Sequence, residues 1–113
     1  MLKTNVRIHI IADDREGKSG VIESLGGFEN VNVDIQRLSI GDYQVDSRLI
    51  FERKTLKDFA VSIIDGRLFK QMSRMANSDS RGVLILEGTI NKTVDLGVTR
   101  EAMQGALITV SLV

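Results

Sequence analysis

The chain has 113 residues, 42% of them hydrophobic and 27% charged, which suits one modest core and a single domain. This composition excludes disorder, collagen and coiled coil, and no run of about eighteen apolar residues offers a membrane-spanning helix. Fifteen basic and fifteen acidic residues cancel; with no cysteine and one histidine, His9, a hydrolytic site has to be assembled from carboxylates, lysine, arginine and a hard cation.

Residues 6–12 read as a strand that ends in the polar loop 13–18, and a short helix over 19–25 should follow, stopped by Gly26 and Gly27. Val31, Val33 and Ile35 alternate with polar neighbours, the pattern of a half-buried strand. Leu38 and Ile40 fall out of phase with them, so a bulge or strand break is expected near Gln36 and Arg37. Residues 43–45 and 49–54 form a hairpin around Asp46, Ser47 and Arg48, completing a three-strand meander. On the second hairpin strand, Ile50, Glu52 and Lys54 face one side while Leu49, Phe51 and Arg53 face the other.

Thr55 followed by Asp58 resembles a helix-capping pair, and a helix should run through Ile64 until Asp65 and Gly66 interrupt it. Leu68, Met72 and Met75 then line one face of a second helix ending near Ala76. The continuous apolar run 83–86 predicts a strand covered on both sides and central in its sheet. From Thr99, an N-cap, Met103, Ala106, Leu107, Val110 and Val113 recur at helical spacing. The apolar, uncapped end of this helix suggests a larger fold or a covering partner. The element order predicts a single α/β domain, with a mixed β-sheet flanked by α-helices rather than a doubly wound parallel sheet.

Charge is unevenly spread. Residues 1–47 carry five basic and eight acidic groups, residues 48–81 eight and four, and residues 82–113 two and three. An acidic block beside a basic one suits a site where carboxylates hold a cation while arginines and lysines hold phosphates, although an ordinary mixed surface gives the same sums. Residues 12–19 match the end of a phosphate-binding loop, but Ala12 replaces the first glycine and Asp13, Asp14 and Glu16 would repel a nucleotide, so no nucleotide cofactor is expected.

The stronger constellation is Asp42 with Glu52, Arg53 and Lys54. A turn at 46–48 sets Asp42 across from Glu52, with Cβ atoms roughly 4.5–5.5 Å apart. Two such carboxylates can share one Mg²⁺ ion at oxygen distances of about 2.0–2.1 Å. Without a cation they repel, and one is pushed toward protonation. Lys54, on the side of Glu52, can offset that repulsion and orient a water or contact a reacting phosphate, the logic of metal-assisted phosphodiester hydrolysis. On spacing alone, a turn acid and an exposed cross-strand charge pair explain the same residues.

The stretches Ile11-Ala12-Asp13-Asp14-Arg15-Glu16, Gly41-Asp42-Tyr43, Glu52-Arg53-Lys54-Thr55-Leu56-Lys57-Asp58 and Gly66-Arg67-Leu68, in this order and spacing, resemble the nuclease domain of the XPF family of structure-specific DNA endonucleases. The resemblance runs from about Val6 through Glu87 and into the last helix. It implies a restriction-endonuclease-like fold, dependence on Mg²⁺ or Mn²⁺, and cutting of one strand near duplex/single-strand junctions in flaps, forks and bubbles. It further implies that Asp13, Asp42 and Glu52 surround the metal, that Lys54 is the catalytic lysine, and that Asp58 and Arg15 belong to the catalytic motif. Arg15, Arg53, Arg67 and Lys70 are the implied DNA contacts, with a structural ion pair as the other role for Arg53 and helix capping as the other role for Asp58. Lys57 and Arg74 could extend the DNA track, although helix surfaces are commonly charged for solubility.

An intracellular, DNA-associated protein with a homodimeric or heterodimeric partner follows from the resemblance. Family members usually carry a tandem helix–hairpin–helix region after the nuclease domain and some a helicase region before it; neither pattern occurs here, and the nuclease domain looks shortened at its C-terminus. A non-catalytic DNA-binding or scaffolding domain of the same fold is the alternative, and a nuclease of the same superfamily acting on a four-way junction or RNA is a third reading. His9 is expected to be a packed or edge histidine rather than a catalyst, Tyr43 and Phe51 are expected to pack in the sheet, and five aromatic residues give base stacking little support.

Overall fold

Alternating apolar residues build the sheet, and three-to-four-residue apolar spacing builds the helices that cover it. The computed structural model describes residues 6–89 and 96–112. In chain order it contains β1 (Ile8–Asp13), a 3₁₀ turn (Asp14–Glu16), α1 (Val21–Leu25), β2 (Val31–Gln36), β3 (Tyr43–Val45), β4 (Leu49–Thr55), α2 (Leu56–Ile64), α3 (Leu68–Ala76), β5 (Arg81–Glu87) and α4 (Arg100–Ser111). Val113, the last residue of the expected helical stripe, lies outside the described residues.

The five strands form one mixed sheet in the order β2-β1-β3-β4-β5. β1 pairs parallel with β2 and antiparallel with β3, β3 pairs antiparallel with β4, and β4 pairs parallel with β5. Two expectations are corrected. β2 does not join the hairpin in a meander, because β1 lies between them; α1 carries the chain over the sheet and returns β2 parallel to β1. β5 stands at the edge rather than the centre: Leu84 and Leu86 pack against the helices, but Ile85 on the opposite face is 37% exposed. Its apolar run therefore serves one covered face.

The hairpin forms in the expected register, with Val45 opposite Leu49 and Tyr43 opposite Phe51. Its turn holds two non-glycine residues in the left-handed region, Asp46 (φ 50°) and Ser47 (φ 56°), as tight hairpins require. Asp46 is tied to β1 there: the backbone N–H of His9 donates to Asp46 Oδ1 at 2.8 Å, and Asp46 N–H donates to the His9 carbonyl at 2.8 Å.

Each face of the sheet has its own core. Ile10, Ala12 and Tyr43 pack under α1 with Val21, Leu25 and Phe51. On the other face Ile50 packs with Phe59 and Ala60 of α2, Leu68, Met72 and Met75 of α3, and Met103 of α4. α2 and α4 begin where the sequence predicts, with Thr55 Oγ1 accepting from Asp58 N–H at 3.0 Å and Thr99 Oγ1 from Ala102 N–H at 3.1 Å, whereas α1 starts at Val21, two residues later than expected. Gly66 (φ 75°) lies in the turn between α2 and α3.

Gly41 (φ 76°) has a second constraint, since a Cβ there would lie 2.3 Å from Ile50 Cγ2 and 3.2 Å from the Phe51 carbonyl oxygen. Gly66→Ala is expected to cost about 1–2 kcal/mol for the left-handed backbone alone. Gly41→Ala should cost roughly 1–3 kcal/mol more through overpacking. Urea denaturation of both variants measures the difference, and equal losses would show that Gly41 is not sterically confined.

Candidate active site

Strand phase decides which side chains meet. Tyr43 and Phe51 belong to the α1-side core, so their neighbours Asp42 and Glu52 face the α2–α3 side. Asp13 follows Ala12 of the same α1-side core and points the same way as Asp42. Backbone bonds carry the pairing past the end of β3: Asp13 N–H donates to the Asp42 carbonyl at 2.8 Å, and Asp42 N–H to the Phe51 carbonyl at 2.7 Å. Asp13, Asp42 and Glu52 thus stand in a row on three adjacent strands.

The three acids have different surroundings. Asp13 is fully buried, and four donors meet its carboxylate: Arg15 Nε (2.6 Å) and Arg15 N–H (3.0 Å) on Oδ2, and Arg15 Nη2 (3.0 Å) and Leu38 N–H (2.8 Å) on Oδ1. The Arg15 guanidinium and these amides hold Asp13 well below the usual carboxylate range despite its burial. Asp42 is half-buried and accepts one amide, Arg53 N–H, at 2.7 Å on Oδ2. Burial raises its pKa, aided by the charges of Glu16 and Asp13 and opposed by the Arg53 amide. Glu52 is pushed up to about 7, first by burial and then by the charge of Asp42, with Lys54 opposing. The repulsion expected between facing acids is present.

A cleft of about 350 Å³ opens at this row, lined by Arg15, Ser39, Ile40, Gly41, Asp42 and Glu52 from the sheet side and by Gln71, Met72, Arg74 and Met75 of α3. Arg15 also donates from Nη2 to the Leu38 carbonyl at 3.1 Å, and Arg74 Nη2 reaches the Ser39 carbonyl at 3.4 Å. Lys54 continues the face of Glu52 and makes no salt bridge among the described residues. Asp58 sits exposed in the first turn of α2, outside the cleft, where its N–H receives the Thr55 cap.

Arg53 faces the other side and is held by three bonds, Nε and Nη2 to Glu87 at 2.6 and 2.9 Å and Nη1 to Glu16 at 2.9 Å. Its side chain is 19% exposed, so it is a structural tie between β4, β5 and the 3₁₀ turn. Arg67 pairs with Asp65 at 3.0 Å; it and Lys70 are exposed and lie outside the cleft. The structure therefore gathers Asp42, Glu52, Arg15 and Arg74, with Asp13 beneath Arg15, and separates Asp58, Arg53, Arg67 and Lys70 from them.

Motif and spacing do not single out Gln71. Its Oε1 is buried, and no donor of the described residues reaches it, an arrangement that costs about 1–3 kcal/mol for an unsatisfied acceptor. A signal does exist: Gln71 lies three residues after Leu68 and four before Met75, a polar residue beside a buried apolar stripe.

Among the described residues, no group of three or more His, Asp or Glu side chains is arranged to hold a metal ion. Two half-buried carboxylates with an unsatisfied amide oxygen on the same cleft nevertheless form a hard oxygen donor set, of the kind that suits Mg²⁺ or Mn²⁺ with waters completing the shell. Asp13 would join that set only if Arg15 released one of its oxygens.

A mixed sheet with a carboxylate row between strand ends and a covering helix is the arrangement of restriction-endonuclease-like domains. The ERCC4 domain family model matches residues 12–113, and the chain belongs to this family, which includes the XPF nuclease domains. It is 33% identical over 105 residues to the 3′-flap repair endonuclease Xpf of Saccharolobus solfataricus, covering 93% of this chain and 45% of that protein. It is 32% identical over 87 residues to the DNA repair endonuclease XPF of Cricetulus griseus, covering 77% of this chain and 9% of that one. Its structure is similar to XPF from Aeropyrum pernix in complex with DNA, with a TM-score of 0.77 and 35% identity, covering 94% of this chain and 52% of that chain. The chain thus spans about half the length of the archaeal relatives it matches.

The raised pKa of Glu52 predicts a stability signature. A folded carboxyl that binds its proton more tightly than the unfolded one lowers stability as pH rises from about 4.5 to about 7. Without divalent ions, Glu52→Gln should be more stable than wild type at pH 8, with the gain shrinking toward pH 5. Urea denaturation at both pH values checks this; a gain independent of pH would contradict the assigned surroundings of Glu52.

Proposed function

We propose that this domain hydrolyses DNA phosphodiesters near duplex/single-strand junctions, as in flaps, forks and bubbles, using Mg²⁺ or Mn²⁺ held by Asp42 and Glu52. The observation that carries the reading is the pair of coupled carboxylates on one cleft with two arginines, in a chain of the ERCC4 family. When bound, the divalent ion would supply an activated water and neutralise charge developing on the phosphate. The chain's own residues do the positioning. Arg53 N–H fixes one oxygen of Asp42 and leaves the other available, and β4 presents Glu52 to the same cleft.

Lys54, two residues along the same face, orients the water or stabilises the phosphorane oxygens. Asp13 acts through Arg15: its bidentate grip holds the guanidinium at the cleft edge, where the 61%-exposed side chain can meet a phosphate. Arg74 offers a second phosphate contact on α3, and the exposed Arg67 and Lys70 extend the basic surface outside the cleft. A homodimeric or heterodimeric assembly, a DNA-repair role and an intracellular, DNA-associated setting belong to the same proposal.

A flap or fork substrate incubated with Mg²⁺ or Mn²⁺ tests it. Wild type is expected to nick the duplex arm, while Asp42→Ala, Glu52→Ala and Lys54→Ala lose at least about 10²-fold in rate and keep DNA binding. Undiminished cleavage by Glu52→Ala would overturn the chemistry. Binding without nicking under either metal would leave a DNA-binding or scaffolding domain. In both cases phosphate-led binding should weaken with salt at a log–log slope near 0.9 per duplex phosphate neutralised.

A further inference from the structure

The cleft is rich in acceptors, and no hydrogen bond of its two arginines goes to Asp42 or Glu52 among the described residues. Arg15 is engaged by Asp13 and the Leu38 carbonyl, and Arg74 leans toward the Ser39 carbonyl. Asp42 and Glu52 present carboxylates to the space that remains, and Gln71 adds a buried amide oxygen that no donor of the described residues reaches. Three oxygen acceptors on one cleft are reconciled by a species that brings positive charge and several O–H donors together. A hydrated divalent cation is such a species, since Mg²⁺ keeps several of its waters when held by one or two carboxylates.

We propose that Gln71 is a positioning residue of this cleft, its amide oxygen accepting a hydrogen bond from a water carried on the divalent cation at Asp42 and Glu52. The inference rests on the metal-dependent reading above and adds a residue to it. The packing of α3 suits that role, because Leu68, Met72 and Met75 anchor it in the core and Gln71, beside that stripe, lines the same cleft as Asp42 and Glu52. The ion would then be fixed from both layers of the fold, by carboxylates from the sheet and by an outer-sphere amide from the helix.

The test is direct titration of the metal-free chain with MnCl₂, read by calorimetry or by the electron paramagnetic resonance of free Mn²⁺, for wild type, Gln71→Met and Gln71→Glu. Gln71→Met keeps the length of the side chain and removes the acceptor. Its Mn²⁺ affinity is expected to fall about 10–100-fold, as for other outer-sphere partners. Its metal-free thermal midpoint should be unchanged or higher, because a buried unsatisfied oxygen has been removed. A merely structural role would give the reverse, a lower midpoint with unchanged affinity, and would overturn the proposal.

Gln71→Glu offers only acceptors, so it should bind Mn²⁺ at least as tightly as wild type. Weaker binding would show that the amide N–H₂ rather than the oxygen serves the cleft, and would also overturn it. If wild type binds no Mn²⁺, the metal-dependent reading itself falls. If wild type binds and Gln71→Met binds equally well, only the role of Gln71 falls.

Discussion

Like charges crowded on one sheet face are the constraint around which this domain is arranged. Asp13, Asp42 and Glu52 occupy neighbouring strands, and each is accommodated differently. A guanidinium and two backbone amides bind Asp13 so completely that it behaves as the anchor of Arg15. A single amide steadies Asp42, while Glu52, with Lys54 and Arg15 nearby, binds its proton more tightly because of burial first and the charge of Asp42 second. The gradient from fully paired to unpaired acid runs along the sheet toward the cleft. A cation entering there would relieve Asp42 and Glu52, the acids that no side-chain cation pairs among the described residues.

The opposite face supplies the rigidity that such a site needs. Arg53, adjacent to Glu52 in sequence, points away from it and joins the end of β5 to the 3₁₀ turn after β1. Its guanidinium is mostly covered, so its ion pairs are less open to salt screening than those of the exposed Arg67 or Arg37. The same pairs keep Arg53 protonated and hold Glu87 below its ordinary range. Binding chemistry and mechanical support are thus segregated by the two-residue period of β4.

Much of this was readable from the chain. The hairpin register followed from the two short apolar stretches around Asp46 and Ser47, and the caps at Thr55 and Thr99 form as their residue types indicate. The sheet order was not readable. Alternation at Val31, Val33 and Ile35 reports a half-covered strand but is silent on its neighbour, and the continuous apolar run at 83–86 occurs here on an edge strand covered on one face. The hairpin register made Asp42 and Glu52 visible as a cross-strand pair, and Lys54 follows on the face of Glu52 without lining the cleft. Gln71 shows in the sequence only as a polar residue beside the stripe of Leu68, Met72 and Met75; that it lines the acid cleft depends on how α3 lies across the sheet, which no local pattern encodes.

The turn at Asp46 and Ser47 sets the phase of the whole arrangement. If β4 slid by a single position against β3, Arg53 would swing into the acidic row and Glu52 would be driven against Ile10 and Tyr43. Asp46, latched to His9 by two hydrogen bonds and followed by a second left-handed residue, makes that slip costly. A substitution on the exposed side of this loop therefore leaves the site's phase intact, whereas an added or deleted residue would invert it.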